Sequence, residues 1–328
     1  LPDWGVMQLG VGLPSFASET HALPPHRFEE YARTAEAFGF AGTWLIEHLV
    51  DPPTYASSLL DPLSTLSYVA GATDAIPVGT SVMLLPLRNP VMVAKRAATI
   101  QHLAGRRLPL GLGTGYVEAE FDAVGVPWGE RGRRFSEALA LVRRLLAERE
   151  VTFDGEFYEV EALRLEPHVS RPPRILVGGG GVERGGERSV PRAVKERLLH
   201  HADGWLAPPR PPSVLETDWR EIAGYLEREG RDPSTLDRVA LNWLHLVPGV
   251  DGDLSREKQR RVFTDRRGAD AERTAGAMAN QLTGSVEEVR ELVGEYRRLG
   301  FDELVLGPTT HDPDEAERQL ERWDDLLR

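Results

Sequence analysis

Glu47 and His48 form an adjacent pair of residue types suited to proton transfer, and they end an apolar segment at residues 41–48. Histidine is the side chain that titrates near neutral pH, so the pair could act as an acid–base group or contact a cofactor. A purely structural, hydrogen-bonded histidine is the alternative. The sequence has no HExxH motif, and His200 and His201 are adjacent, so on a helix they point in different directions. We therefore predict no metal site.

A second polar pair, Thr80 and Ser81, interrupts an apolar segment that spans residues 76–84. A polar group that is buried without a hydrogen-bond partner costs about 1–3 kcal/mol by mutational estimates. Each hydroxyl therefore either finds a partner within the protein or faces a bound molecule. The sequence leaves both alternatives open.

Two glycine-rich segments follow other apolar runs. The first, GLGTG at residues 111–115, would need a glycine in place of Tyr116 to match the dinucleotide-binding motif GxGxxG. Its glycines could instead allow close backbone packing or the approach of a planar ring, and we favour the ring. The second is a run of four glycines at residues 178–181. Their backbone N–H groups and their tolerance of positive φ suit the binding of a phosphate. A flexible loop is the alternative. The candidate cofactor-binding residues are accordingly Gly113, Thr114, Gly115, Gly178, Gly179, Gly180 and Gly181.

Short apolar segments alternate with amphipathic ones along almost the whole chain. Strands are predicted at residues 7–14, 41–48, 76–84, 107–115, 173–181, 202–208, 238–249 and 301–308. Helices are predicted at residues 26–40, 61–73, 89–105, 133–150, 189–201, 214–230, 285–300 and 312–328. Eight strand–helix units predict an α/β fold of the (β/α)8 TIM-barrel type. A doubly wound parallel sheet is the alternative, but it does not need an eighth strand.

Local signals support several of these helices. Asp61 and Asn89 stand at N-cap positions, each followed directly by a proline. Ser285 and Glu288 have the spacing of a capping box. Gly105 is placed to end the helix that begins after Asn89.

The alternation is interrupted twice, and we interpret both interruptions as insertions in one domain that covers residues 1–328. Residues 151–165 alternate in polarity and predict a hairpin that turns at Asp154 and Gly155. Residues 250–280 are polar and rich in arginine, so we predict a long mobile loop with some helix there.

The barrel prediction gathers the candidate residues at one place. In such barrels the active site lies at the carboxyl ends of the strands. Those ends carry Glu47, His48, Ser81 and the two glycine-rich segments, with few charges and no serine nucleophile. This composition suits a site that holds a large flat cofactor and leaves the chemistry to it.

Composition narrows the class of protein. The 328 residues carry a formal net charge of −12, which argues against general binding to nucleic acids or to an anionic membrane surface. There is no cysteine, so disulfides, thiol catalysis and cysteine-bound metals are excluded. No apolar run is long enough to span a bilayer and the first residues do not resemble a signal peptide, so we expect a cytoplasmic protein.

The ordered motifs resemble one family, the bacterial luciferase-like oxidoreductases that depend on flavin or on the deazaflavin F420. The matching segments span most of the chain and lie at residues 36–48, 61–73, 78–107, 110–139, 153–161, 172–181 and 201–205. The resemblance implies a luciferase-like TIM barrel with insertions. It also implies a bulge at the end of the third strand with a cis peptide bond at Ser81-Val82, against which the cofactor ring would rest. Thr80 and Ser81 would then line the edge of that ring, together with Val82.

The resemblance is greatest to the F420-dependent branch of the family. Glu47 replaces the aspartate usual there, and Tyr116 and Ala119 replace polar residues that its sugar-phosphate dehydrogenases use. Their substrate therefore does not carry over. Family members are often dimers, so a homodimer is expected.

Three functional hypotheses follow. The first is an F420-dependent oxidoreductase that transfers hydride between the deazaflavin and a small organic substrate, with His48 and Glu47 as catalytic residues and residues 250–280 as a lid. The second is an FMN-dependent monooxygenase that uses O2 and a separate flavin reductase. The third is a cofactor-free interaction subunit, against which the glycine loop and His48 argue.

Overall fold

Eight parallel strands close into a barrel in the computed structural model. The model describes residues 7–14, 16–18, 21–22, 24–50, 58–267, 280–310 and 312–327. The barrel strands are β1 (Gln8–Gly12), β2 (Thr43–Leu45), β3 (Val78–Leu84), β4 (Pro109–Gly113), β5 (Arg174–Gly178), β6 (Gly204–Ala207), β7 (Asp237–Leu244) and β8 (Glu303–Pro308). Each strand pairs with its neighbours in the sequence, and β8 pairs with β1. The predicted (β/α)8 barrel is confirmed.

A helix of the outer layer of the barrel follows each strand within the described residues. These helices are α1 (Pro25–Ala37), α2 (Pro62–Ala72), α3 (Pro90–Ala104), α4 (Arg131–Ala147), α5 (Arg192–His201), α6 (Pro212–Arg228), α7 (Val286–Arg298) and α8 (Pro313–Leu327). Two further helices span Glu118–Ala123 and Gly252–Arg267. No helix in the described part of the chain is both long and apolar enough to cross a membrane.

The predicted helix ends are confirmed by their hydrogen bonds. The Asp61 carboxylate accepts the N–H of Ser64, and the Asn89 side chain accepts the N–H of Val91. Ser285 and Glu288 form a complete capping box at the start of α7. Gly105 ends α3 in the left-handed conformation, with φ of 65°.

The core has two layers. Most buried apolar side chains lie between the strands and the surrounding helices. A smaller cluster comes from the barrel strands alone and includes Trp44, Leu176 and Val305. The indole N–H of Trp44 donates a 2.8 Å hydrogen bond to the buried Glu303 carboxylate. Side chains therefore fill the lower barrel, which leaves the carboxyl ends of the strands for a site.

A β-hairpin lies where residues 151–165 predicted one. Its strands are Val151–Asp154 and Glu159–Leu163, which pair antiparallel. Three shorter strands at Phe16–Ser18, His21–Ala22 and Ser58–Leu59 form a small sheet, and a second hairpin joins Val182–Arg184 to Glu187–Ser189.

For residues 250–280 the sequence predicts a long mobile loop with some helix, and helix is present in the first half. Gly252–Arg267 is a helix, and it is fixed to the end of β7 by two wholly buried polar residues. Gln259 donates to the carbonyl of His245, which directly follows β7. Ser255 donates to the Gly284 carbonyl at 2.5 Å, and Gln259 accepts the Gly284 N–H at 3.0 Å, so the helix is also tied to the segment before α7. The buried face of this helix is thus polar. The sequence therefore lacks the regularly spaced apolar residues that indicate an amphipathic helix. Residues 268–279, the rest of the predicted lid, lie outside the described residues.

Candidate active site

A cleft of about 450 Å³ opens at the carboxyl ends of the strands. This volume lies within the range usual for small-molecule and cofactor sites. Most of the predicted site residues line it, namely Glu47, His48, Ser81, Val82, Gly113, Thr114, Gly115, Gly178, Gly179 and Gly180. Thr80 and Gly181 do not line it, and each has a different role.

Strand β3 bulges where it reaches the cleft. Thr80 lies opposite Leu110 of β4, but Met83 lies opposite Leu112, so β3 carries one extra residue at this point. The peptide bond between Ser81 and Val82 is cis. The bulge and the cis bond that the family resemblance implied are both present.

The two adjacent hydroxyls of β3 have opposite surroundings. Thr80 is wholly buried, and its hydroxyl donates a 2.7 Å hydrogen bond to the Gly111 carbonyl. The expectation that Thr80 lines a ring edge is therefore wrong, because the neighbouring strand satisfies it. The buried Ser81 hydroxyl has no hydrogen-bond partner among the described residues, and Ser81 borders the cleft. An unpaired polar atom in this position fits the polar edge of a planar ring.

Two glycines make room for the side chain of Val82. A Cβ atom on Gly113 would lie 2.5 Å from Val82 Cγ2, and one on Gly178 would lie 2.8 Å from Val82 Cγ1. Both distances are too short for a real side chain. The glycines of β4 and β5 thus leave space for the bulge of β3. Val82 presents an apolar surface to the cleft.

The run of four glycines is held by three contacts. The Gly179 carbonyl accepts the indole N–H of Trp205 at 2.5 Å, and the Gly179 N–H donates to the Leu206 carbonyl at 3.3 Å. The Gly181 N–H donates to the Asp218 carboxylate at 2.8 Å. The prediction that Gly181 offers its N–H to a phosphate is therefore not met, because a carboxylate of this chain occupies it.

Asp218 also ties down the hairpin that follows the glycines. It is 1% exposed and pairs through both oxygens with Arg188, at 2.9 Å to Nε and 2.8 Å to Nη2. The hydrogen bonds that Arg188 donates to Asp218 raise the pKa of the Arg188 guanidinium, so Arg188 stays charged. Val182, at the start of the hairpin, lines the cleft. The hairpin therefore forms one wall of the site.

Glu47 is engaged by protein partners. Its carboxylate accepts the Leu84 N–H at 2.5 Å and the Arg88 Nε–H at 3.1 Å, and Arg88 also contacts Asp61 at 2.7 Å. Burial raises the pKa of Glu47, with Arg88 acting in the opposite direction. These bonds fix the end of β3. Glu47 is thus placed to hold the bulge rather than to exchange protons with a substrate.

His48 is part of a hydrogen-bonded chain that leads from a buried carboxylate to the cleft. Its Nδ1 lies 3.1 Å from Oε1 of Glu120, which also accepts the Leu49 N–H at 2.7 Å. Its Nε2 lies 3.2 Å from the Tyr116 hydroxyl. Glu120 is wholly buried, whereas Tyr116 is 58% exposed. The arrangement orients the imidazole and gives it a route to the cleft for a proton.

Sequence reasoning missed Glu120 and gave Tyr116 no role. Glu120 lies on the short helix Glu118–Ala123, among other acidic residues, where a solvated carboxylate is the ordinary expectation. The one signal in the sequence is that Glu120 comes shortly after the GTG segment at the end of β4. At that point the short helix folds back over His48.

The sequence profile of the family described as luciferase-like monooxygenases matches residues 7–303. The chain belongs to this luciferase-like family. It is accordingly an enzyme, and its relatives place it among the oxidoreductases.

Two curated relatives illustrate the likeness. A 5,10-methylenetetrahydromethanopterin reductase from Methanolobus tindarius is 30% identical over 238 residues, which cover 72% of this chain and 65% of the relative. An F420-dependent glucose-6-phosphate dehydrogenase from Intrasporangium calvum is 28% identical over 91% of this chain and 92% of the relative. For several other curated relatives the alignment spans only 48–50% of their length.

A solved structure shows the same fold. The monooxygenase RslO1 from Streptomyces bottropensis superposes with a TM-score of 0.78 over 98% of each chain, at 20% sequence identity. At this identity the structural likeness shows that the fold is the luciferase-like barrel. The activity has to be inferred from the residues of the site.

Proposed function

We propose that this luciferase-like enzyme is an F420-dependent oxidoreductase that transfers a hydride between the deazaflavin and a small organic substrate. The observation that carries the proposal is the β3 bulge, where the unpaired Ser81 hydroxyl and the apolar face of Val82 border one cleft. Such a surface suits a planar ring with a polar edge. When bound, the deazaflavin supplies a carbon that accepts or donates hydride.

The remaining residues of the cleft have separate tasks in this proposal. Ser81 would hydrogen-bond the ring edge, and Val82 would support its face. The backbone at Gly178 and Gly180 would face the phosphate end, whereas the Gly179 N–H is already bound to the Leu206 carbonyl. Thr114 and Gly115 also line the cleft. Gly113 has an indirect part, since it allows Val82 its position.

His48 would handle the proton that accompanies the hydride. It is 8% exposed and lines the cleft, and Glu120 fixes its ring from behind. Hydride transfer to or from a carbon that bears a heteroatom leaves a proton to be taken up or given back. An oriented imidazole near neutral pH contributes about 10²–10⁴-fold to such steps. The carboxylate of Glu47 is bound elsewhere, so we assign the proton transfer to His48.

The choice of F420 rests on relatives. A relative that aligns over 91% of this chain is named as F420-dependent. The alternative, an FMN-dependent monooxygenase with a separate flavin reductase, is favoured by the description of the family and by the likeness to RslO1. A homodimer and a small-molecule substrate are predictions under either cofactor.

Turnover in the presence and absence of oxygen separates the two. The purified protein is incubated with reduced F420 and a set of small carbonyl compounds, or with oxidised F420 and the corresponding alcohols. In parallel it is incubated with FMN, a flavin reductase and NADH, together with the same compounds. The proposal predicts cofactor-dependent conversion that proceeds equally well without O2. Conversion that requires O2 and FMN would establish the monooxygenase instead.

A further inference from the structure

We propose that the substrate is an uncharged alcohol or the corresponding carbonyl compound, and that the Tyr116 phenol exchanges the proton with its oxygen. The inference rests on the proposed function, because the cofactor supplies or accepts the hydride. It goes further by naming the class of substrate and a second catalytic residue.

Tyr116 and His48 both line the cleft and lie side by side there. Its hydroxyl lies 3.2 Å from His48 Nε2, and the two rings meet edge to face, with centroids 5.4 Å apart. Tyr116 is 58% exposed and lines the cleft, whereas His48 is 8% exposed. A substrate oxygen entering the cleft would therefore meet the phenol before it meets the imidazole.

Glu120 sets the direction of this hydrogen-bonded chain. Its Oε1 accepts the Leu49 N–H, so this oxygen acts as a hydrogen-bond acceptor. The His48 Nδ1, at 3.1 Å, is thus the donor in its bond to Glu120, which leaves the Nε2 lone pair toward Tyr116. The Tyr116 hydroxyl can donate to this lone pair and still accept a hydrogen bond from a substrate alcohol.

Alcohol oxidation balances along this route. The substrate C–H bond breaks and its hydride goes to the deazaflavin, while the O–H bond breaks and a C=O bond forms. The hydroxyl proton passes to the Tyr116 oxygen as the phenol gives its own proton to His48 Nε2. The Glu120 carboxylate stabilises the resulting imidazolium. Carbonyl reduction follows the same steps in reverse.

The walls of the cleft favour an uncharged substrate. Leu84, Leu241 and Trp243 line it, and no lysine or arginine is among the described residues that do so. An anionic substrate would leave water for a surface that offers it no counter-charge, which is unfavourable.

Three of the cations near the cleft are paired with carboxylates. Arg88 contacts Asp61 at 2.7 Å and also binds Glu47, as described above. Lys195 binds Glu221 at 2.6 Å, with its side chain 14% exposed. Arg188 forms the two-point pair with Asp218. An anionic group could recruit one of them only by breaking an internal ion pair.

Matched pairs of substrates test the class. The F420-loaded enzyme is assayed with hexan-2-ol against 5-hydroxyhexanoate, with cyclohexanol against 4-hydroxycyclohexanecarboxylate, and with glucose 6-phosphate, by following cofactor reduction. We expect the neutral member of each pair to have a kcat/KM at least about tenfold higher, as expected when a charge must be desolvated. Equal or better use of the anionic members overturns the inference.

The phenol is tested with Tyr116→Phe, with Tyr68→Phe as control because Tyr68 is 44% exposed on α2, away from the cleft. We expect Tyr116→Phe to lower kcat by about 10²-fold and to change the shape of the pH–rate profile, while F420 binding stays within about twofold. A change in kcat under about threefold with an unaltered profile shows that His48 acts directly.

Two remaining outcomes separate this inference from the proposed function. If F420 binds but no alcohol or carbonyl compound of the panel reacts, the substrate class is wrong and the cofactor assignment stands. If F420 does not bind, the proposed function itself fails and the inference falls with it.

Discussion

The Nδ1 atom of His48 lies 3.1 Å from Oε1 of Glu120, a residue 72 positions further along the chain. The two meet because β2 and β4 end at the same mouth of the barrel and the short helix after β4 folds back over it. Glu120 is wholly buried and also binds the backbone of Leu49. The imidazole is therefore held in one orientation before any substrate arrives.

Glu120→Gln tests this positioning role. The amide keeps the shape and can still accept the Leu49 N–H, but it removes the negative charge behind His48. We expect kcat to fall by about 10–100-fold and the pH–rate profile to shift, with F420 affinity nearly unchanged. Glu118→Gln on the exposed side of the same helix is the control and should leave both quantities unaltered. An equal loss in both variants would mean that the short helix, not the charge, matters.

Ser81 and Thr80 provide a matched pair for cofactor binding. Ser81→Ala removes a hydroxyl that has no hydrogen-bond partner among the described residues, so the free energy of unfolding should stay the same or rise slightly. F420 should bind about tenfold more weakly, as expected for the loss of one hydrogen bond.

Thr80→Val should do the opposite. It removes the hydrogen bond to the Gly111 carbonyl, so we expect the free energy of unfolding to fall by about 1–2 kcal/mol, with F420 affinity retained. Urea unfolding and F420 fluorescence quenching measure the two effects. If Ser81→Ala destabilises the free protein and leaves F420 affinity intact, Ser81 does not face the ring.

Gly113→Ala tests the fit of Val82 against β4. The added methyl would lie 2.5 Å from Val82 Cγ2, so we expect a loss of about 1–3 kcal/mol in stability and weaker F420 binding. Val82→Ala in the same chain should restore part of the stability, giving a favourable coupling in a double-mutant cycle. Gly71→Ala on α2, where no atom of the described residues lies within 4 Å of the added methyl, should instead stabilise slightly. Purely additive effects of Gly113→Ala and Val82→Ala would refute the contact.

Glu36, which binds the backbone just before β3, makes the free energy of unfolding depend on pH in the acid range. Burial alone would raise the pKa of Glu36, but the N–H groups of Ala75, Ile76 and Asp74 outweigh it and hold the pKa below its usual value. A carboxyl whose pKa is lowered by folding stabilises the protein above the unfolded pKa. That stabilisation is lost as the pH falls through the folded pKa.

Glu36→Gln should therefore lower stability at neutral pH and make the acid-induced loss shallower. Urea unfolding across a series of pH values measures both. Glu30→Gln, an exposed residue on the same helix, is the control. An unchanged pH dependence in Glu36→Gln would show that this carboxylate does not contribute.

The sequence predicts the strands and helices of the barrel well, because the signals for these elements are local. Strand–helix alternation, the caps at Asp61 and Asn89 and the Ser285–Glu288 capping box each lie within a few residues. The opposite surroundings of Thr80 and Ser81 were not predictable, since the partner of Thr80 belongs to the next strand.

Tertiary partners explain the other differences. Gly181 meets a carboxylate from α6, 37 positions away, which no local pattern reveals. Glu120 looks like one more acidic residue on a short helix. The helix Gly252–Arg267 buries Ser255 and Gln259 rather than apolar side chains, so its periodicity resembles that of a loop.

The most direct test of the central claim is an equilibrium titration of the purified protein with F420 and with FMN, read by fluorescence quenching and thermal shift. The account predicts saturable F420 binding that is at least about tenfold tighter than FMN binding and that is weakened in Ser81→Ala. FMN binding as tight as or tighter than F420 binding would contradict it and would indicate oxygen chemistry on the same barrel.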